Sequence, residues 1–238
     1  MRMEMTGFDP RVEPLGVAVL VPHRDYLEFA RSLAPVGGVY AGGLKRGFET
    51  LLILAAAPVV LPLILLLALM IAVESGKPFY VQKRVGRGGK AFRLWKLRTM
   101  VVDADDRLEA HLAADPAARA EWERTQKLKA DPRVTCIGRL LRKTSLDELP
   151  QLLNVLNGTM ALVGPRPMMV NQQMMYDGLA YYRLRPGITG PWQISARNGS
   201  EFVARVRYDD QYAASVSLRT DLRIIARTMV VLPRCTGY

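Results

Sequence analysis

Leu51 to Val73 reads LLILAAAPVVLPLILLLALMIAV, 23 residues without a charge, an amide or a hydroxyl. About 20 residues of apolar helix match the hydrocarbon core of a bilayer, so the run predicts a membrane-anchoring helix. Pro58 and Pro62 interrupt it. Each removes a backbone donor and crowds the preceding turn. Lys45 and Arg46 precede the run, and Lys77, Lys83, Arg84, Arg87 and Lys90 follow it. A span that crosses the bilayer normally has one basic flank and one poorer in charge; here both ends look cytoplasmic. A kinked span and a re-entrant hairpin both satisfy these residues.

Outside the run the periodicity changes. DYLEFARSL at 25–33 predicts a short helix, and AVLVP at 18–22 a short strand or buried turn. Gly37, Gly38, Gly42 and Gly43 predict a hinge before the anchor. The alternation of KAFRLWKL at 90–97, set between turn signals, predicts a hairpin or short extended segments. From Val102 to Lys129 alanine and charge dominate, which predicts one or two surface helices broken near Asp115 and Pro116. In SLRTDLRIIARTMVVL at 217–232, Arg219, Arg223 and Arg227 share one helical face. Leu222, Ile225, Met229 and Leu232 can then meet core or lipid, as in a basic amphipathic helix on an anionic interface.

Charge narrows the partners. Thirty-three Lys and Arg against 22 Asp and Glu give a formal net charge of +11. Such an excess suits nucleic acid, anionic lipid or a phosphorylated substrate, and the apolar run favours the last two, so no nucleic acid is expected. Cys136 and Cys235 form no metal or redox motif, and His23 and His111 stand apart. The apolar run begins only at residue 51 and has no small-residue cleavage pattern, so it is expected to stay in the mature chain.

Candidate chemistry gathers in KTSLDELPQL, 143–152. Ser145 and Glu148 have the spacing of a capping box, and on that reading the acids only start a helix. Asp147 in a first helical turn would be favoured as an anion, available as nucleophile or metal ligand. The same helix end would suit a phosphate. Arg133, Arg139 and Arg142 crowd the preceding residues, and guanidinium groups match phosphate oxygens in pairs. Adjacent acids among arginines suggest chemistry on a phosphate ester assisted by a divalent cation. In GPRP, Pro165 and Pro167 stiffen the backbone on both sides of Arg166, which lowers the entropy lost when it clamps an anion. GRGGK at 86–90 lacks the spacing and the Ser or Thr of a nucleotide-binding P-loop.

From Lys45 to the C-terminus the chain resembles the bacterial sugar transferase family, the polyprenyl-phosphate phosphoglycosyl transferases of the monotopic class. The matching pieces are the proline-bearing apolar segment, QKRVGRGGKAFRLWKLRTM (82–100), DPRVTCIGRLLRKTSLDELPQLLNVLNG (131–158), LVGPRP (162–167), RPGITGPWQIS (185–195) and the Arg-rich end. The resemblance implies an α-rich monotopic membrane protein with minor β structure. It divides the chain into a soluble extension (1–44), a re-entrant membrane helix (45–76) and a catalytic domain (77–238) with amphipathic interfacial helices, at the cytoplasmic face of the bacterial inner (plasma) membrane.

It further implies transfer of a sugar 1-phosphate from a UDP-sugar, glucose or galactose foremost, to undecaprenyl phosphate with release of UMP, as the first step of exopolysaccharide or related glycan synthesis. The family's dyad falls on Asp147 and Glu148, with Asp147 forming a phosphosugar-aspartate and both residues placed to hold Mg²⁺. Arg142 and Arg166, then Arg133 and Arg185, are the implied phosphate binders. Pro165 and Pro167 shape their loop, and Pro62, with Pro58 one turn earlier, breaks the membrane helix. Leu61 stands where the family commonly has Ser before that proline, Pro191 where a large apolar residue is common, and Ala196 where Gly is usual. The last two leave the sugar open. Anionic membrane lipid is an implied partner, and a homodimer is allowed. The competing reading is a nonenzymatic scaffold or regulator of polysaccharide assembly, against which the intact Asp147–Glu148 pair speaks.

Overall fold

The structure, a computed structural model, describes residues 23–125, 128–195 and 202–231. The expected strand or turn at 18–22, and Ala196, Leu232 and Cys235, lie outside the described residues. A short helix α1 (His23–Ser32) is followed by a π-helical turn (Tyr40–Leu44) that runs straight into α2 (Lys45–Ser75). Gly42 and Gly43 are inside that turn, so the expected hinge is helical there. α2 is the apolar helix. Its 31 residues form one helical element that contains both Pro58 and Pro62. The amides these prolines lack leave the carbonyls of Leu54 and Pro58 without their helical donors. Gly76, at φ 80°, ends the helix by returning its N–H to Ala72 O at 2.9 Å, a left-handed cap that suits glycine.

The alternating segment forms the expected hairpin, β1 (Phe79–Val85) against β2 (Ala91–Leu97), antiparallel from Phe79↔Leu97 to Val85↔Ala91. α3 (Ala104–Ala114) and α4 (Pro116–Thr125) break where expected, because the Asp115 carboxylate accepts the N–H groups of Ala117 and Ala118 at 2.8 and 3.1 Å. α5 (Cys136–Thr144) is capped by Thr135 and followed by α6 (Gln151–Leu156). β3 (Ala161–Val163), α7 (Ala180–Arg183), β4 (Gly187–Thr189), α8 (Pro191–Ser195), α9 (Arg205–Ser215) and α10 (Leu218–Val231) complete an α-rich fold with minor β structure. β3 and β4 are parallel and touch backbone to backbone: a Cβ on Gly187 would lie 2.1 Å from Gly164 N, and one on Gly190 2.1 Å from Gly164 O.

α2 packs on the domain at two places. Ile53 joins Phe92, Leu94, Val155 and Met160, while Leu67, Ala68 and Ile71 join Leu97 and Leu141. Between and around these contacts Leu51, Leu54, Val59, Leu61, Leu65, Leu66, Leu69 and Val73 are exposed. A continuous apolar surface of that extent is unstable in water and fits a membrane-associated helix. In α10 the core face is Asp221, Ile224, Ile225 and Thr228; Leu222 and Met229 are exposed along with Arg219, Arg223 and Arg227. Leu222 and Met229, expected to meet core or lipid, thus lie outside the core, while Asp221 turns inward to a cation.

That cation is Lys45, at the first turn of α2. Its Nζ contacts Glu49 Oε1 at 2.8 Å, Asp221 Oδ2, and the Tyr212 hydroxyl at 3.1 Å. Tyr40 and Tyr212 donate their hydroxyls to Asp221 at 2.8 and 2.6 Å. Glu49 accepts the N–H groups of Leu162 and Val163 at 3.0 and 3.3 Å. Glu49 and Asp221 are 2 % and 1 % exposed, so both carboxylates have left water and depend on these donors. Lys45→Met leaves two buried carboxylates with no cation. We expect a loss of about 3–5 kcal/mol, read as a lower melting temperature in detergent; an unchanged melting temperature would show that the network does not hold the helix.

Candidate active site

The dyad is presented by a tight turn between two helices. Gly138 lets α5 approach the Thr99 backbone so closely that a Cβ would sit 2.1 Å from Thr99 O. Arg142, one turn on, donates Nε–H to Thr99 Oγ1 at 2.8 Å. α5 then ends at Ser145, the one non-glycine residue with positive φ (59°) among the described residues. Such a conformation costs about 1–3 kcal/mol and recurs at functional sites. It reverses the chain into a single 3₁₀ turn, Leu146–Glu148, beneath β2.

The expected capping box is therefore absent. Ser145 makes no side-chain capping bond, and the Glu148 N–H instead reaches the Ser145 carbonyl at 3.2 Å. The helix that follows starts beyond Pro150, so the acids precede it. A three-residue turn also has too little length for the helix dipole that was expected to hold Asp147 anionic. Burial dominates: Asp147 is 8 % exposed, and desolvation raises its pKa, with Lys96 opposing and Glu148 adding to the rise.

Lys96 is the partner that sequence reasoning missed. Its Nζ lies 3.3 Å from Asp147 Oδ2 and 2.9 Å from Glu148 Oε1. Arg166 Nη2 stands 3.7 Å from Glu148 Oε1. Strand alternation aims Lys96 into the site: Leu94 and Lys96 share the β2 face that lines a cleft with Arg84, Glu148, Gln151, Arg166 and Pro167. Arg84 donates to Gln82 Oε1 at 2.6 Å and to Pro167 O at 3.3 Å. Pro165 O accepts the Gly187 N–H at 2.8 Å, so both prolines anchor the Arg166 loop through their carbonyls.

A second missed arginine, Arg205, lies between the rings of Trp192 and Phe202, 4.2 and 4.7 Å from their centroids. Burial first, then the Arg166 charge, pushes its guanidinium down to about 10. The same two causes lower Arg84. The Nε atoms of Arg84 and Arg205 are buried without a hydrogen-bond partner among the described residues. Arg84 and Arg166 thus line the cleft, and Arg205 lies near enough to feel both charges.

Two expected phosphate binders are elsewhere. Arg133 is bidentate to Asp131, at 2.8 and 2.7 Å, and covers the Trp122 ring at 5.2 Å. Arg185 is absent from the cleft lining; burial first, then the charges of Arg87 and Arg46, lower its pKa near the start of α2. Arg142 stays with the dyad, its charge favoured by Asp147 against burial. Among the described residues no group of three His, Cys, Asp or Glu side chains forms a metal cage, so the acidic donors at the cleft are Asp147 and Glu148.

A membrane-associated domain with a buried aspartate beside a glutamate, a bridging ammonium and a guanidinium-lined cleft has the chemistry of a protein that handles phosphate groups at a bilayer. The chain is a member of the bacterial sugar transferase family, whose sequence pattern matches residues 40–234. It is 45 % identical over 198 residues to the UDP-galactose-lipid carrier transferase of Erwinia amylovora, covering 82 % of this chain and 42 % of that protein. It is 44 % identical over 201 residues to the exopolysaccharide production protein ExoY of Rhizobium meliloti, covering 83 % of this chain and 87 % of ExoY. The UDP-glucose:undecaprenyl-phosphate glucose-1-phosphate transferase of Caulobacter vibrioides is 42 % identical over 179 residues, 71 % of this chain and 61 % of that protein. The chain thus spans less than half of the Erwinia protein and most of ExoY.

The wall behind Arg205 carries a pH-sensitive group. Burial pushes the Asp209 carboxyl up to about 7, against the Tyr176 hydroxyl that donates to it at 2.6 Å and the nearby Arg205. A carboxyl whose folded pKa exceeds its unfolded value binds its proton more tightly when folded. Its contribution to stability is therefore present in acid and is lost as pH rises from about 4 towards 7. Asp209→Asn, which cannot ionise, should raise the melting temperature more at pH 8 than at pH 5. An equal change at both pH values would rule out a raised Asp209.

Proposed function

We propose that this transferase moves a sugar 1-phosphate from a UDP-sugar to undecaprenyl phosphate, releasing UMP, as the initiating step of exopolysaccharide or related glycan synthesis. The names of the relatives support galactose or glucose as the sugar. The observation that carries the reading is the buried Asp147, held with Glu148 by one ammonium at a cleft bordered by arginines.

The reaction follows from the charges. A carboxylate oxygen of Asp147 attacks the β-phosphorus of the donor. The bond from that phosphorus to the bridging oxygen breaks, and UMP leaves with the electron pair. A phosphosugar-aspartate remains. A phosphate oxygen of the lipid then attacks the same phosphorus, and the Asp147 carboxylate leaves unchanged. Both steps bring anion onto anion. Lys96 opposes the proton affinity that burial gives Asp147, while Arg84, Arg142 and Arg166 offset phosphate charge from fixed positions. Asp147 and Glu148 suit Mg²⁺, which binds through one or two carboxylates with phosphate and water oxygens. When bound it polarises phosphoryl oxygens.

The membrane reading is a re-entrant α2 within segments 1–44, 45–76 and 77–238, on the cytoplasmic face of the inner membrane, where soluble donor meets lipid acceptor. Both ends of α2 dock on one domain, which supports a return to the side of origin. Ile53 and Leu67 are about 21 Å apart along a straight helix. Yet the clusters they join are flanked by Leu152 and Leu149, close neighbours in the chain. Pro58 and Pro62 remove two hydrogen bonds from the same face, the condition for a bend there.

Purified protein with Mg²⁺, undecaprenyl phosphate and a panel of UDP-sugars should release UMP with one donor, and Asp147→Asn should lose that turnover by about a thousandfold or more while still floating with vesicles. Labelled donor alone should leave label on the wild-type chain and none on the variant. Equal turnover in the two proteins would refute the nucleophile; no turnover in either favours the scaffold. For the topology, Gly47→Cys and Lys77→Cys, each in a Cys136→Ser/Cys235→Ser background, should both react with an impermeant thiol reagent in inverted vesicles and neither in intact spheroplasts. Reaction of one from each side would establish a span.

A further inference from the structure

The hairpin has two faces, and only one serves the cleft. The other carries Val81 opposite Trp95 and Lys83 opposite Arg93. All four are exposed. Like charges directly opposed across antiparallel strands repel, and neither Lys83 nor Arg93 has an ion-pair partner among the described residues. An arrangement that destabilises the hairpin by itself calls for an external anion.

Lys83, Arg93 and Trp95 line a groove of about 480 Å³ with Phe92, Asn157 and Thr159. The groove adjoins the membrane element at two points. Phe92 packs on Ile53 of α2, whose neighbours Leu51, Leu52 and Leu54 are exposed. Gly158, between Asn157 and Thr159, faces the Arg46 guanidinium, which a Cβ there would meet at 3.1 Å. Arg46 and Arg87 both lie near Arg185. None of these three arginines forms an ion pair among the described residues either. A belt of five cations, with an indole and an apolar wall, therefore borders the segment that sits in lipid.

We infer that this groove binds the phosphate headgroup of an anionic phospholipid, with Lys83 and Arg93 on the phosphate and Trp95 at the boundary between headgroup and acyl chain. Tryptophan favours that boundary, and each basic residue near an anionic surface adds about 1 kcal/mol of attraction. The site is distinct from that of the acceptor lipid, whose phosphate must reach Asp147 on the opposite face of the hairpin. The inference rests on the membrane seating of α2 and not on the transfer reaction.

The test uses the full chain in phosphatidylcholine vesicles containing equal mole fractions of acyl-brominated phosphatidylglycerol or acyl-brominated phosphatidylcholine. Tryptophan fluorescence of the wild type should be quenched more by the brominated phosphatidylglycerol. The excess should vanish in Lys83→Gln/Arg93→Gln and in Trp95→Phe, with flotation and UMP release in detergent retained by all three proteins. Equal quenching by the two lipids in the wild type overturns the inference, as does an excess that survives either variant. Excess quenching abolished by millimolar inorganic phosphate would assign the groove to free phosphate and also overturn it. Failure of the wild type to float would instead sink the membrane seating, and failure of UMP release alone would touch only the transfer reaction.

Discussion

One ammonium group decides where membrane and catalytic layers meet. Lys45 lies between Glu49 and Asp221, both fully withdrawn from water, and is itself only partly exposed. Two carboxylates in a dry interior are tolerable only with such a cation and a full set of donors. The arrangement also reaches the chemistry. Glu49 accepts from Leu162 and Val163, and Arg166 follows three residues later. Tyr212, which donates to Asp221, also contacts the Val163 carbonyl at 3.2 Å. The strand that leads to Arg166 is thereby fastened to the first turns of the apolar helix.

The cleft works by an opposite imbalance. Around the dyad, cations outnumber anions; beyond the effect of burial, the Arg166 charge lowers the basicity of Arg84 and Arg205, and Arg84 adds to the effect on Arg205. The fold sustains that repulsion by holding Arg205 between two rings and Arg84 against Pro167 O. Groups fixed in this way need no rearrangement when a diphosphate arrives, which is the condition under which charge is most effective. Burial raises the proton affinity of Asp147; Lys96, on β2, opposes that rise, and Glu148 adds to it.

How much of this was legible depended on the range of each interaction. The apolar helix, the hairpin and the break at Asp115 are local patterns, and they stand as read. Arg133 was also locally decidable: Asp131 is two residues away, and the pair closes on itself. The Ser145–Glu148 spacing misled because a capping box and a left-handed reversal share the same four residues, and only packing against β2 selects the second. Lys96 and Arg84 come from one hairpin and Arg205 from α9, and they approach the dyad only in the folded chain, so no spacing from Asp147 could announce them. Adjacent acids among arginines single out the dyad, and the family resemblance assigns Asp147 its covalent role.

The contact between Gly164, Gly187 and Gly190 carries a different lesson. These glycines sit in the GPRP and RPGITG segments that make the family recognisable, yet what they do is let two backbones touch. A descendant that lost the Asp147 carboxylate and its chemistry would still need all three to keep β3 beside β4. In a genome survey the glycines would therefore count folds, and a tally of working enzymes has to be taken from the dyad and the lysine that bridges it.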